Sequence, residues 1–221
     1  MNRDALRGFD VVEATVTAGH HRFQVLKPRT ADDLISDDEY AVDERLPYWA
    51  ELWPSGCVLA DRLAQRRLDG LNVVELGAGL AIPSLVAATG GATVVATDWY
   101  QPALTFVTVN AERLGLAVDT MLVDWRDPPQ ALLDRAPFDL IVAADVLYEP
   151  RNAAPLAALL PRLLADDGEM IIADPRRPDA RPFLDALAST GWSIHTDEVA
   201  HDSRLDESGP IVHLHHIERS D

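Results

Sequence analysis

Cysteine is almost missing from this chain of 221 residues, and Cys57 stands alone. One thiol makes no internal disulfide, so packing must hold the fold, and a reducing compartment, the cytoplasm, is the expected setting. Lysine is equally scarce: Lys27 is the only one, and 19 basic residues face 36 acidic ones for a formal charge of −17. So acidic a surface repels phosphate backbones, and no Lys/Arg stripe supplies a basic face, which argues against a nucleic-acid partner. The same charge suits a cationic acceptor, such as a lysine-bearing patch on another protein, or serves solubility alone. Long apolar runs are absent too, which argues against a membrane span, and the start MNRDALRGFDVVEATV lacks the basic lead and apolar centre of a secretory signal. No G-x-S-x-G occurs, which excludes a serine-nucleophile elbow. Repeats and low-complexity tracts are missing as well.

What is present is 48% hydrophobic and 25% charged, the balance of a globular protein, with length for one domain and a full core. From Leu71 onward, short apolar runs alternate with helical patterns. Asn72–Leu76, Thr93–Thr97, Val118–Leu122, Phe138–Ala144 and Glu169–Ala173 read as strands, most of them apolar enough to be covered on both faces. Helices are expected near Ile82–Thr89, Pro102–Leu114, Pro128–Arg135, Pro155–Leu164 and Pro182–Thr190, several with proline near the first turn. This alternation implies an α/β fold: a doubly wound, mostly parallel sheet with helices on both faces. Two last strands, near Trp192–Thr196 and Ile211–Ile217, flank polar Asp197–Pro210 and read as an antiparallel hairpin. Ahead of the alternation, Val11–Thr17 and Arg22–Leu26 form another expected hairpin around Gly19-His20-His21. An acidic loop or lid, Asp32–Glu44, follows, then PYWAELWPSG (Pro47–Gly56) and a helix from about Ser55, the expected N-cap, to Arg66.

Four segments carry chemistry. In VVELGAGLAIPSL (Val73–Leu85) a buried strand runs into Gly77-Ala78-Gly79 and then a helix. Glycines turn tightly and let a ligand approach the backbone, and the helix start offers free amides, although many such turns use glycine only to turn. Asp98 ends the next strand about twenty residues on, where a carboxylate accepts from ribose hydroxyls; capping the helix ahead of Pro102 is the alternative. A dinucleotide fingerprint would need a small residue where this chain has Ile82, so the pair indicates an adenosine without diphosphate. In VDWRD, Asp124 is placed to accept from an adenine amino group with Trp125 beside the ring. In DLIVAADVLYEP, Asp145 and Tyr148 follow a buried strand, at the end where open parallel sheets bind ligands; helix capping and core filling are their structural alternatives. His213, His215 and His216 do not make a metal site at strand spacing, because His216 points away from the other two. No metal is expected.

ELGAG, TDW (Thr97-Asp98-Trp99), DW, ADVLYE and ADPRRP stand in the order and spacing of class I, seven-β-strand S-adenosylmethionine methyltransferases. The pattern resembles family 16, which contains many protein-lysine methyltransferases, and is most similar to the branch acting on the electron-transfer flavoprotein β-subunit. The resemblance spans about Pro47 to Trp192, so residues 1–46 are expected to form an N-terminal extension and 47–221 the S-adenosyl-L-methionine-dependent domain. It implies that Trp53 and Trp99 line the cofactor pocket and that Glu75 meets the methionine amino group. Gly77, Ala78 and Gly79 would pass beneath the methionine, Asp98 would hold ribose, and Asp124 and Trp125 adenine. The Ala144 backbone would face the sulfonium, Asp145 and Tyr148 would act at the acceptor, and Asp174, Arg176 and Arg177 would border its entrance. Ala81 replaces a commoner glycine and is expected inside the following helix. A protein with an exposed lysine is the favoured acceptor, a small amine the second choice, and a non-catalytic adenosine-binding module the reading from another class.

Overall fold

The computed structural model describes residues 3–31, 34, 47–201 and 210–220. Most of the expected acidic loop, Asp32–Glu44, therefore lies outside the described residues. Strands β1 (Val11–Ala18) and β2 (His21–Pro28) pair antiparallel as the alternation requires. A short 3-10 turn (Tyr48–Ala50) leads to helix α1 (Pro54–Ala64). Ser55 is not its cap. Trp53 occupies the N-cap and Pro54 the first helical position, so Ser55 falls inside the first turn and is fully buried.

Strand β3 (Asn72–Leu76), helix α2 (Ile82–Thr89), strand β4 (Thr93–Asp98) and helix α3 (Gln101–Leu114) follow nearly as the periodicity predicts. Next come β5 (Asp119–Leu122), a single helical turn α4 (Gln130–Leu133), β6 (Phe138–Ala144), α5 (Pro150–Leu163) and β7 (Leu164–Asp174). Three of these elements differ from their expected bounds by more than one residue. The helix expected over Pro128–Arg135 shrinks because extended Pro129 serves as its N-cap, with no helical turn before it. α5 starts at Pro150, not Pro155, because Pro150 takes the first helical position, and Pro155 and Pro161 then fall inside the helix. β7 begins at Leu164, since buried Leu164 pairs with Phe138 despite the polar Asp166-Asp167 beyond it. Helix α6 (Ala180–Ala188) and strands β8 (Trp192–Ala200) and β9 (Ile211–Arg219) complete the described chain.

Among the described residues the main sheet has the order β5-β4-β3-β6-β7-β9-β8. The first five strands are parallel, and β9 runs antiparallel to both β7 and β8. One face packs against α1 and α2 through Leu59, Leu63, Leu85 and Val86. The other packs against α5 and α6 through Leu156, Leu160, Phe183 and Leu187. The N-terminal hairpin is tied to α3 by buried Asn110, whose Oδ1 accepts from the Leu26 amide at 2.7 Å while its Nδ2 donates to the Leu26 carbonyl at 2.9 Å. That side chain supplies both bonds a neighbouring strand would, which satisfies an edge that burial alone would leave unpaired. Strand order reverses between β3 and β6, so a crevice opens at their carboxyl ends. Among the described residues no helix is long and apolar enough to cross a membrane.

Candidate functional site

The crevice holds a cavity of about 200 Å³. Twelve of the site residues expected from the sequence line it: Trp53, Glu75, Gly77, Ala78, Gly79, Asp98, Trp99, Asp124, Trp125, Ala144, Asp145 and Tyr148. Tyr48, Trp49, Glu51, Arg126, Arg151 and Asn152 also line it and were missed. Tyr48 and Trp49 belong to the PYWAELWPSG segment, so a signal for them was available. Arg151 and Asn152 lie in the first turn of α5, which the expected boundary left in a loop.

Two glycines shape the floor by what they omit. Gly77 has φ +71, and a Cβ there would meet Val146 Cγ1 at 2.9 Å and the Trp125 ring at 3.4 Å. At Gly79, with φ +52, a Cβ would stand 3.2 Å from the Trp49 carbonyl oxygen. The backbone of the aromatic segment therefore closes directly over the glycine turn. Trp49 itself is buried and packs on Phe106, as expected of a core aromatic. Ala81 is not inside α2: it is the N-cap, in the left-handed region at φ 55. The chain holds alanine where glycine is favoured, at a cost of about 1–2 kcal/mol.

Asp98 is 6% exposed. Its Oδ2 accepts from the Gly79 amide and its Oδ1 from the Tyr100 amide, both at 2.8 Å. The carboxylate thus couples the end of β4 to the glycine turn and to the N-cap of α3 at once. Asp124 is engaged by its own chain, its carboxylate accepting from the Arg126 guanidinium at 2.8–3.1 Å. That guanidinium also lies over the Trp99 ring at 5.1 Å, which holds the indole against the rim.

Glu75 is 1% exposed, and its Oε2 accepts from the Ser84 hydroxyl at 2.5 Å and the Ser84 amide at 3.0 Å. Burial pushes its carboxyl up from 4.5 to about 8, against the Ser84 bonds and with help from the Asp98 charge. The folded protein therefore keeps a proton there that the unfolded chain loses. This stabilisation is complete below pH about 4.5 and disappears as pH rises to about 8. Glu75→Gln is expected to flatten that dependence, which otherwise amounts to roughly 1.4 kcal/mol per pH unit inside the window. Urea unfolding of both proteins at pH 5 and pH 7.5 checks it, and equal slopes would contradict a buried, protonated Glu75.

Asp145 follows β6 directly, in the left-handed region at φ 55, with its amide donating to the Ala173 carbonyl at 2.8 Å. It does not cap α5, whose N-cap is Glu149. Instead Arg177 grips it bidentately, Nε to Oδ1 at 2.9 Å and Nη2 to Oδ2 at 3.2 Å. Asp145, beside the guanidinium, holds Arg177 still more firmly protonated than usual. The Arg177 amide donates to Asp174 Oδ1 at 2.8 Å. Asp174 is buried, its Oδ2 has no hydrogen-bond partner among the described residues, and burial raises its carboxyl. Arg176, in the left-handed region at φ 68, turns the chain that presents Arg177. Neither Asp174 nor the two arginines lines the cavity, which Arg177 adjoins through its pairing with Asp145. Tyr148 is half-buried, its ring edge-on to Tyr48 at 5.5 Å. On β9, His215 bonds Thr196 from one sheet face while His216 reaches Glu169 on the other.

A family model described as lysine methyltransferase matches residues 47–190. The chain belongs to this family. The match begins at the first residue of the aromatic segment over Gly79 and ends beyond α6. The chain is 31% identical over 137 residues to protein N-lysine methyltransferase METTL21A of Danio rerio, covering 59% of this chain and 62% of that one. It is 32% identical over 112 residues to histone-arginine methyltransferase METTL23 of Xenopus laevis, covering 48% and 47%. To protein N-terminal and lysine N-methyltransferase efm7 of Aspergillus fumigatus it is 27% identical over 170 residues, covering 65% and 64%. The chain thus spans about half to two thirds of the length of these relatives. Among solved structures it is similar to ribosomal protein L11 methylase from Lactobacillus delbrueckii subsp. bulgaricus, at 25% identity and TM-score 0.54 over 75% of this chain and 79% of that one. Magnesium protoporphyrin IX methyltransferase from Synechocystis PCC 6803 with bound SAM shares the fold, at 20% identity and TM-score 0.55 over 74% and 77%.

Proposed function

We propose that this chain transfers the methyl group of S-adenosylmethionine to a lysine side chain of a protein substrate. One observation carries the reading: the glycine turn, Asp98 and the Asp145–Tyr148 pair, far apart in sequence, line a single cavity at the point where strand order reverses. The cavity fits the cofactor. Gly77 and Gly79, both at positive φ, make the tight turn at the floor with Val146, Trp125 and the Trp49 backbone packed against it, and a cationic amino group beside buried Glu75 would favour its ionised form. In this reading Gly77, Ala78 and Gly79 support the methionine part, Asp98 the ribose, Asp124 and Trp125 the adenine, with Trp53 and Trp99 at the rim. The lysine family model and the names of METTL21A and efm7 support a lysine acceptor.

The bound cofactor supplies an electrophilic methyl on sulfur. The amine lone pair forms the new N–C bond as the C–S bond breaks, S-adenosylhomocysteine leaves, and a proton departs from nitrogen. Catalysis then rests on alignment, for which effects of about 7–11 kcal/mol are the upper range in intramolecular models. Asp145 orients the acceptor. Its pairing with Arg177 serves the reaction, because a lone carboxylate would stabilise the protonated, unreactive ammonium.

Incubation with methyl-labelled cofactor and a size-fractionated lysate tests the proposal. Label is expected in protein bands and, after hydrolysis, in methylated lysine. Label confined to small molecules would replace the protein acceptor by a small amine, and label on arginine would replace lysine.

A further inference from the structure

Three aromatic rings at the mouth of the cleft offer a second recognition chemistry. Tyr48 is 40% exposed and Trp53 36% exposed, large aromatic surfaces that folding left open. Tyr48 stands close to Trp53, with centroids 6.0 Å apart and planes at 72°, and to Tyr148, at 5.5 Å and 76°. All three line the cavity that Asp145 also lines. The Trp53 indole donates to the Tyr48 carbonyl at 2.8 Å, so the ring is fixed to the short 3-10 turn before any ligand arrives. Asp145 is already balanced by Arg177, which leaves ring faces as a source of attraction for a cation at this opening.

Partly exposed aromatic rings packed edge to face beside one opening suit a positive charge wrapped in carbon. The ring quadrupole attracts the charge. A bare ammonium would lose hydrogen bonds to water that the rings cannot return, whereas each alkyl group on nitrogen removes one such N–H. We propose that Tyr48, Trp53 and Tyr148 form a binding site for an alkylated ammonium group. In the methyltransferase reading, on which its role but not its physics rests, the occupant is the acceptor nitrogen once it carries methyl. The first methyl then strengthens the hold of the mouth on the acceptor instead of expelling it.

Choline and its neutral isostere, in which carbon replaces the ammonium nitrogen, separate charge from shape. Each is titrated by ligand-observed NMR into the full chain, alone and with S-adenosylhomocysteine. Choline is expected to bind about tenfold more tightly than the isostere, the range of a partly desolvated cation–π contact. Tyr48→Leu is expected to erase the preference and Tyr48→Phe to keep it. Equal binding of the two compounds, binding of neither, or an unchanged preference in Tyr48→Leu overturns the site. S-adenosylhomocysteine that fails to bind refutes the methyltransferase reading separately, and the choline comparison in the free protein still judges the rings.

Discussion

Asp98→Ala is expected to weaken S-adenosylhomocysteine binding by about a hundredfold or more, as measured by calorimetry. Hydrogen bonds to an ionised group contribute about 1.5–3 kcal/mol each, and two ribose hydroxyls would share this carboxylate. The structure adds a second reason. Asp98 is held by the Gly79 and Tyr100 amides, so removing it also frees the turn that must lie flat beneath the ligand. Part of the loss is therefore preorganisation, and Asp98→Asn, which keeps an acceptor oxygen but lacks the charge, is expected to fall between the two. Binding within twofold of the original protein in Asp98→Ala would contradict the ribose assignment.

The second large effect falls on turnover. Asp145→Asn is expected to lower methyl transfer at least about a hundredfold, the scale of a small misplacement of reacting groups, with S-adenosylhomocysteine affinity within a few-fold. Asparagine is the informative choice because it tolerates the left-handed backbone that Asp145 adopts, so the charge is removed without straining the turn. Arg177 loses its partner's charge and one of its two acceptor oxygens but is 38% exposed on its side chain, and water replaces the lost bond at little cost in stability. If cofactor affinity collapses alongside turnover, Asp145 belongs to cofactor binding and not to acceptor orientation.

Much of this site was legible because each motif carries a local physical cause. Gly77 and Gly79 sit where positive φ and a close approach to other chain segments require them, and Asp98 and Asp145 sit where strands end. The misreadings have equally local causes. Ala81 adopts a backbone that its side chain disfavours, which no propensity announces. Ser55 has the chemistry of a cap, but Pro54 already starts the helix. Tyr48 was overlooked although it stands in a quoted segment, because nothing in the sequence tells an aromatic that packs from one that remains exposed.

By itself the sequence determined the α/β alternation, the antiparallel end of the sheet and the positions of the glycines and carboxylates, since periodicity and backbone restrictions act over a few residues. Only the tertiary structure decided which charges meet. Arg177 neutralises Asp145 from 32 residues away, and Asn110 pins Leu26 across 84. Such pairings depend on how the sheet orders its strands, and long-range closure leaves no periodic trace in the chain.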